Sequence, residues 1–197
     1  MAFKDLREFM AELETRGLLK RITTPVDCEL EITEITDRVS KREGNKNIAL
    51  LFENVKGYDV PVLMNAFGSM ERMAIAFGVD KVDDIADRLR DILKLPYISL
   101  ERKMDLVSIL PTAKQAINFP KYVKHGPCKE VIIKDQPSLD KFPILTCWPQ
   151  DGGPFITLPL VFTKNPKTGK RNVGMYRLQK YDGQTTGMHW HIHKNGA

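Results

Sequence analysis

Residues 172–194 of the chain read NVGMYRLQKYDGQTTGMHWHIHK. The Asp-Gly pair at 182 and 183 is typical of a tight turn between two antiparallel strands, so we predict strands over 172–180 and 186–194. His189, His191 and His193 occupy alternate positions of the second strand, and alternate residues of a strand point to the same face. The pattern therefore predicts a sheet face that carries three imidazoles beside the side chains of the first strand.

A third strand and a turn are predicted before this hairpin. Residues 155–163 read FITLPLVFT, and the NPKTG that follows at 165–169 is typical of a turn. The three segments together predict an antiparallel meander. Pro159 has no amide hydrogen to donate, so it indicates a sheet edge or a bulge within the first strand.

The rest of the chain predicts helices that alternate with short strands. Apolar residues at helical spacing predict helices, with one or two more within 98–118; the main ones cover 3–20, 29–42, 69–77 and 82–93. Short apolar runs predict strands over 47–53 and 61–65. Residues 119–150 are rich in proline, which suggests connecting strands and loops at a domain boundary. The fold class expected is α/β (α+β).

Composition excludes several classes of protein. The chain has 197 residues, of which 42% are hydrophobic and 28% charged, as in ordinary globular domains. It has no run of about 18 apolar residues that could span a membrane and no apolar signal-peptide core near its N-terminus. We therefore expect a soluble cytoplasmic protein without a membrane partner. Cys28, Cys128 and Cys147 are far apart, so we expect reduced thiols rather than disulfides or a cysteine-rich zinc site.

The charge of the chain is mildly basic, with a net charge of +5 and a pI of about 9.0. Most lysines and arginines alternate with acids, and only residues 164–171 form a local basic turn. A nucleic-acid-binding protein needs a continuous basic face or a recognisable module. The excess fits a small anionic ligand at least as well, and we expect no nucleic-acid partner.

The predicted hairpin carries side chains that could bind a metal or an acid. Three histidines could hold zinc with a water molecule, whereas the amide oxygen of Asn172 suits magnesium or manganese better. The same histidines could also line a hydrogen-bonded sheet surface. Arg177 is either a surface residue or a group that binds a carboxylate. Tyr176 and Trp190 are more often packing residues than stacking groups.

Several segments resemble the UbiD family of reversible (de)carboxylases, which depend on prenylated FMN. The resemblance rests on PQDGGPFIT at 149–157, RNVGMYR at 171–177 and TGMHWHIHK at 186–194. DLREFM at 5–10 and PVDCELEITEI at 25–35 look like the opening of the family, although Cys28 stands where a proline is common. The Met-His-Trp variant resembles members that act on aromatic acids.

The resemblance implies a domain order. Family members have an N-terminal α/β domain, a flavin-binding domain with a split β-barrel, and a C-terminal domain used in oligomerisation. Residues 1–120 would be the first domain and residues 121–197 the incomplete beginning of the second. Members are more than twice as long as this chain, and their catalytic and metal-binding acids lie beyond the region matched. The chain would then be an N-terminal portion of such an enzyme, or one component whose partner chain supplies the rest, and we expect an oligomer.

The resemblance also implies roles for individual residues. Asn172 and His193 would bind the divalent metal, Mn²⁺ or Mg²⁺, that bridges to the cofactor phosphate, with K⁺ as a further candidate ion. Arg177 would be catalytic, because it holds the substrate carboxylate. The residues expected to contact prenylated FMN are Thr157, Met175, Tyr176, Arg177, His189, Trp190, His191 and Lys194.

The function that follows is non-oxidative decarboxylation of a small aromatic or α,β-unsaturated carboxylic acid. The cofactor would take up the electrons as CO₂ leaves, and a glutamate outside this chain would donate the proton. Such a chain alone would be inactive. The alternatives are a non-catalytic flavin- or nucleotide-binding module, an assembly subunit, and a stand-alone zinc hydrolase that uses the three histidines.

Overall fold

A computed structural model describes residues 3–94, 123–194 and 196. Their helices and small sheets confirm the α/β class, and the described strands do not close into a barrel. The residues fall into two compact units that do not follow the order of the chain. One unit contains 3–11, 69–94 and 123–132, and the other contains 12–68, 133–194 and 196.

The four described α-helices lie where the apolar spacing predicted them, with shorter bounds. They are α1 (Leu6–Thr15), α2 (Glu31–Ser40), α3 (Met70–Phe77) and α4 (Asp84–Lys94). The hydroxyl of Ser69 accepts a hydrogen bond from the amide of Arg72 at 3.2 Å and caps the start of α3. Gly78 ends that helix in the left-handed conformation, with φ of 63°. The helix expected within 98–118 lies outside the described residues.

A three-stranded sheet contains β1 (Leu19–Ile22), β2 (Ala49–Phe52) and β3 (Val62–Met64). The central strand β2 runs parallel to β1 and antiparallel to β3. All four residues of β2 are buried, so this strand reads as a continuous apolar run rather than an alternating one. The strands expected over 47–53 and 61–65 are confirmed.

The core beside this sheet includes a residue from far along the chain. Val26, Ile32, Leu50, Phe52 and Val55 form one buried cluster with Leu145. The segment around Leu145 is attached through the backbone, because the amide of Leu30 donates to the carbonyl of Thr146 at 3.0 Å. Residues near 145 therefore complete a core that begins near residue 20. The boundary predicted between residues 120 and 121 lies outside the described residues and stays a prediction.

The C-terminal strands differ from the predicted meander. They are β4 (Phe155–Ile156), β5 (Leu160–Lys164), β6 (Arg171–Met175), β7 (Leu178–Lys180) and β8 (Thr186–Met188). One sheet has the order β4-β7-β8, and β5 pairs with β6 in another, all antiparallel. The prediction of continuous strands over 155–163 and 172–180 is wrong, because each segment leaves one sheet and joins the other.

The two changes of sheet lie opposite each other. Residues 157–159 connect β4 to β5, and residues 176–177 connect β6 to β7. Pro159 lies in the first connection rather than inside a strand, which suits a residue without an amide hydrogen. Because both breaks occur at the same level, residues 155–164 and 171–180 each contribute one strand to each of the two sheets.

Both predicted turns are confirmed, and each is closed by an aspartate or asparagine side chain. Oδ1 of Asn165 accepts hydrogen bonds from the amides of Lys167 and Thr168, both at 2.9 Å. Oδ1 of Asp182 accepts from the amides of Gln184 and Thr185, both at 2.7 Å. The local sequence is enough to specify turns of this kind. The hydrogen bonds from the amides of Gln184 and Thr185 hold the pKa of Asp182 below its usual range.

The strand predicted over 186–194 is wrong beyond Met188. The partner strand β7 begins at Leu178, which pairs with Met188. The bond from the amide of His189 to the carbonyl of Arg177, at 3.0 Å, extends the pairing by one residue. The chain before that point turns away to pair with β5, so residues 190–194 have no partner strand among the described residues. The face with three imidazoles therefore does not form.

All three cysteines are free, and burial raises the pKa values of Cys28 and Cys147. Across the described ranges, none of the helices has the length and apolar character that a bilayer crossing requires.

Leu50→Ala should be strongly destabilising, because Leu50 is 2% exposed in the centre of the core. We expect a loss of about 2–5 kcal/mol in the free energy of unfolding, measured by urea denaturation. Leu89→Ala is the matched control, because Leu89 is 55% exposed on α4, and it should cost less than about 1 kcal/mol. Equal losses would contradict the core assignment.

Candidate functional site

The ring of Tyr176 lies at the centre of the C-terminal part of the protein. Tyr176 is 4% exposed, although it stands in the break between β6 and β7. Its hydroxyl accepts a hydrogen bond from the amide of Gly196 at 2.8 Å. Its ring packs against that of Trp190, with 5.3 Å between the ring centroids. These contacts fold the end of the described chain back over β6.

Glycines allow this close packing. A Cβ on Gly174 would lie 2.5 Å from the Tyr176 ring, and a Cβ on Gly196 would lie 2.5 Å from its hydroxyl oxygen. A larger residue at either position would push the ring out of place. The glycine in the Asn-Val-Gly-Met-Tyr-Arg segment is thus explained by the tyrosine two residues later.

Lys194 closes over the same ring. Its Nζ lies 3.4 Å from the carbonyl oxygen of Met175 and 5.3 Å from the centroid of the Tyr176 ring. A tight turn precedes it, in which the amide of Lys194 donates to the carbonyl of His191 at 2.9 Å. The ammonium group is therefore held beside β6 by a carbonyl and by the face of an aromatic ring.

The end of the described chain, residues 190–194 and 196, is called the returning segment because it folds back over β6. A cavity of about 400 Å³ lies between β6 and this segment. Residues from both sides line it. They are Asn172, Val173, Gly174, Met175, Tyr176, His193 and Lys194. Five of the residues that the sequence predicted for metal or cofactor binding therefore meet at one cavity: Asn172, Met175, Tyr176, His193 and Lys194.

Asn172 has an unsatisfied amide. It pairs with Thr163 across the β5–β6 ladder, and its Nδ2 is buried without a hydrogen-bond partner among the described residues. Rotating the amide by 180° exchanges its nitrogen and oxygen with little change in shape, and the oxygen would then occupy the orphaned position. An oxygen there, with the imidazole of His193 on the same cavity, is a donor set that a divalent cation accepts.

The donor set is incomplete within the described part of the chain. No group of three His, Cys, Asp or Glu residues there could hold a metal ion. His191 and His193 lie with ring centroids 5.8 Å apart, and His193 lines the cavity whereas His189 and His191 do not. Thr157 is exposed between β4 and β5 and is also absent from the cavity lining.

Arg177 follows Tyr176 in the chain but does not line the cavity, and its guanidinium group contacts a ring and a carboxylate. Its Cζ lies 4.0 Å from the centroid of the Phe155 ring, and its Nη1 lies 3.8 Å from Oδ1 of Asp151. The arginine side chain is 42% exposed and the aspartate side chain 15% exposed. The guanidinium group therefore rests on a ring and a carboxylate while part of it faces solvent.

Sequence reasoning missed Asp151, Phe155 and Gly174. The only signals were an acid beside two glycines and an aromatic residue at the start of a predicted strand, and neither indicates which cation lies nearby. Asp151 also lies near Cys147, whose pKa is raised mainly by burial and further by this carboxylate. Pairing between separate strands brings these residues together, and the sequence pattern does not specify that pairing.

Two family models match the chain. The 3-octaprenyl-4-hydroxybenzoate carboxy-lyase N-terminal domain matches residues 10–89. The 3-octaprenyl-4-hydroxybenzoate carboxy-lyase Rift-related domain matches residues 121–197. The cavity and its lining lie within the second match.

Two longer proteins are similar in sequence to this chain over 98–100% of its length. A protein of Archaeoglobus fulgidus without an assigned function is 50% identical over 100% of this chain and 39% of its own length. One from Aquifex aeolicus is 46% identical over 98% of this chain and 40% of its own length. The chain thus spans about two fifths of the curated relatives that it matches.

Solved structures of similar fold are enzymes. The closed form of vanillic acid decarboxylase (ShVdcCD) from Sedimentibacter hydroxybenzoicus is 30% identical, with a TM-score of 0.75 over 94% of this chain and 37% of that one. An evolved dimeric form of the UbiD-class enzyme HmfF from Pelotomaculum thermopropionicum, in complex with prFMN, is 30% identical, with a TM-score of 0.71 over 94% and 38%.

Gly174→Ala should disturb the packing of Tyr176 and Trp190, because the added methyl group meets the tyrosine ring. We expect a loss of about 1–3 kcal/mol in the free energy of unfolding and an altered near-ultraviolet circular dichroism spectrum. Gly126→Ala is the control, since a Cβ there meets nothing within 4 Å. An unchanged spectrum in Gly174→Ala would contradict the tyrosine packing.

Proposed function

Because this chain belongs to the UbiD family of carboxy-lyases and covers its N-terminal portion, we propose that it forms the flavin-phosphate and carboxylate-binding side of a UbiD-like decarboxylase. The proposed reaction is the reversible, non-oxidative decarboxylation of a small aromatic or α,β-unsaturated carboxylic acid with prenylated FMN. The observation that carries the proposal is the cavity shared by Asn172, Tyr176, His193 and Lys194. Arg177 is the next residue in the chain after Tyr176.

Asn172 and His193 are proposed as two ligands of a divalent metal. The orphaned amide of Asn172 supports this role, because a buried polar group without a partner is costly unless a ligand satisfies it. An amide oxygen favours Mn²⁺ or Mg²⁺ over zinc, although imidazole accepts either. The remaining ligands would come from residues outside the described part of the chain. K⁺ remains a further candidate ion.

The other cavity residues are proposed to hold the cofactor. Lys194 brings a positive charge to the wall of the cavity, where it would attract a phosphate group. Met175 offers an apolar side chain at the cavity, and the buried Tyr176 is proposed to support the cofactor site through its packing against Trp190. Prenylated FMN, when bound, supplies the electron sink for breaking the carbon–carbon bond. Contacts from Thr157, His189, Trp190 and His191 remain proposals that the cavity lining does not support directly.

Arg177 is proposed to bind the substrate carboxylate. A guanidinium group presents planar, paired N–H donors that match a carboxylate, and the exposed part of Arg177 leaves donors for such a ligand. Holding the carboxylate in one orientation aligns the bond to be broken, which is a gain from positioning. The proton that replaces CO₂ would come from an acid outside the described residues.

Further polypeptide is proposed to cover the outer face of the β5–β6 pair. Four apolar side chains on this face are 49–66% exposed; they are Leu160, Phe162, Val173 and Met175. The charged pair Lys164 and Arg171 lies at the end of the same face. A contiguous apolar patch of this kind marks a surface that another element buries. Either the remainder of a longer chain or a partner chain could bury it; one structure of the Sedimentibacter hydroxybenzoicus enzyme ShVdcCD is described with a truncated ShVdcD.

The metal site can be tested by metal content. We expect the native-length protein to bind Mn²⁺ or Mg²⁺ and Asn172→Ala to weaken that binding by about 10–100-fold, measured by titration after chelation. Lys167→Ala in the exposed 165–169 turn is the control and should bind like the parent. Equal binding by the parent and Asn172→Ala would remove Asn172 from the site.

The reaction can be tested with the native-length protein reconstituted with prenylated FMN. We expect CO₂ release from members of a panel of aromatic and α,β-unsaturated acids. Arg177→Lys should lower kcat/KM by about 100-fold, because an ammonium group cannot reproduce the paired contact, whereas Lys167→Ala should change it less than about twofold. Flavin binding with no CO₂ release from any acid would favour the non-catalytic flavin-binding alternative.

A further inference from the structure

The carboxylate of Asp151 is largely buried, but one of its oxygens lacks the hydrogen bond that normally accompanies burial. Its side chain is 15% exposed, and Oδ2 is buried without a hydrogen-bond partner among the described residues. A buried carboxylate oxygen without a donor is costly, so it is retained only where a nearby positive charge or a function compensates. The positive group that the structure places beside it is the guanidinium of Arg177, 3.8 Å away.

The distance between the two groups matters. At 3.8 Å the charges attract each other, but the separation exceeds that of a normal hydrogen bond. Among the described residues the guanidinium of Arg177 donates no hydrogen bond, and an arginine has five N–H groups to donate. The aspartate therefore attracts the guanidinium without accepting a hydrogen bond from it, and the N–H groups of Arg177 stay available for a ligand.

Phe155 supports the guanidinium through its ring. The Cζ of Arg177 lies 4.0 Å from the ring centroid, which is close for a cation over an aromatic face. Phe155 is itself 7% exposed and fixed in β4. The ring and the carboxylate restrict the guanidinium, while 42% of the arginine side chain stays exposed.

The loop that carries Asp151 is attached to the strand that follows Arg177. Nε2 of Gln179 donates to the carbonyl of Gly152 at 2.7 Å, and the amide of Lys180 donates to the carbonyl of Pro154 at 2.9 Å. A Cβ on Gly152 would lie 2.8 Å from that same Nε2, so the glycine permits the approach. One side-chain and one backbone hydrogen bond thus attach the segment after Asp151 to the strand that follows Arg177.

We propose that Asp151 is a positioning residue for Arg177, which with Phe155 holds the guanidinium so that its free N–H donors face an incoming carboxylate. This inference rests on the proposed function, since it assigns Arg177 a carboxylate ligand. Its physical basis is preorganisation, because a guanidinium already held in one orientation loses less freedom when it binds.

The first test measures the guanidinium itself, without turnover. Phenylglyoxal modifies accessible arginines, and peptide mass spectrometry gives the rate at Arg177 relative to Arg171 in the same native-length protein. Asp151→Asn removes the attraction and should raise the relative rate at Arg177 about threefold or more, whereas Asp151→Glu should keep it within about twofold of the parent. The control Asp135→Asn, at an exposed site, should leave the rate unchanged.

A second variant guards against misfolding. Phe155→Leu keeps a large apolar side chain but removes the aromatic face, and it should raise the rate at Arg177 about twofold. If Asp151→Asn fails to fold, an unchanged rate at Arg177 in a folded Phe155→Leu overturns the restraint. An unchanged rate in a folded Asp151→Asn overturns it directly.

The third measurement tests positioning for catalysis in the protein loaded with prenylated FMN. Asp151→Asn should lower kcat by about tenfold in the parent background and by less than about twofold in the Arg177→Lys background. Equal losses in both backgrounds would mean that Asp151 acts independently of Arg177 and would overturn the proposal. A parent protein that decarboxylates no acid contradicts the proposed function instead, and the labelling rates then decide whether Asp151 restrains Arg177.

Discussion

The site depends on a change of partner strand at Tyr176 and Arg177, between β6 and β7. A strand edge can pair with only one neighbour at a time, and here the chain leaves β5 and joins β4 within two residues. The two side chains at the change of sheet reach different surroundings: Tyr176 is buried under the returning segment, and Arg177 rests on Phe155. A continuous strand would have kept both residues in one ladder, so the break is what lets two consecutive side chains reach different surroundings.

The returning segment, residues 190–194 and 196, is held by several weak interactions instead of by strand pairing among the described residues. One ring contact, one hydrogen bond to a tyrosine hydroxyl and one ammonium contact hold it over β6. Individually such contacts contribute about 1 kcal/mol each. Their combination brings His193 to the cavity that Asn172 lines, and it does so only because Gly174 and Gly196 leave room for the tyrosine.

Features that depend on neighbouring residues were predictable from the sequence, and features that depend on distant partners were not. The helices α2 and α3 and the turns at Asn165 and Asp182 follow from spacing and from local side-chain hydrogen bonds. The three-histidine strand failed because alternation specifies a face only when a partner strand exists. Family resemblance identified five of the seven residues that line the cavity, all except Val173 and Gly174. It included Asp151 in the block at 149–157 but gave that carboxylate no role, because the loop that carries it must be attached to β7 before it lies beside Arg177.

The contribution of Leu145 to the first core bears on the order in which the protein is made. The cluster around Ile32 and Phe52 stays open on one side until the segment that pairs with Cys28 and Leu30 has left the ribosome, more than a hundred residues after β1. Loop closure over that length delays consolidation. A chain released or cleaved before residue 145 would display this apolar surface to chaperones and proteases, so the N-terminal part matures together with the segment that carries the site rather than ahead of it.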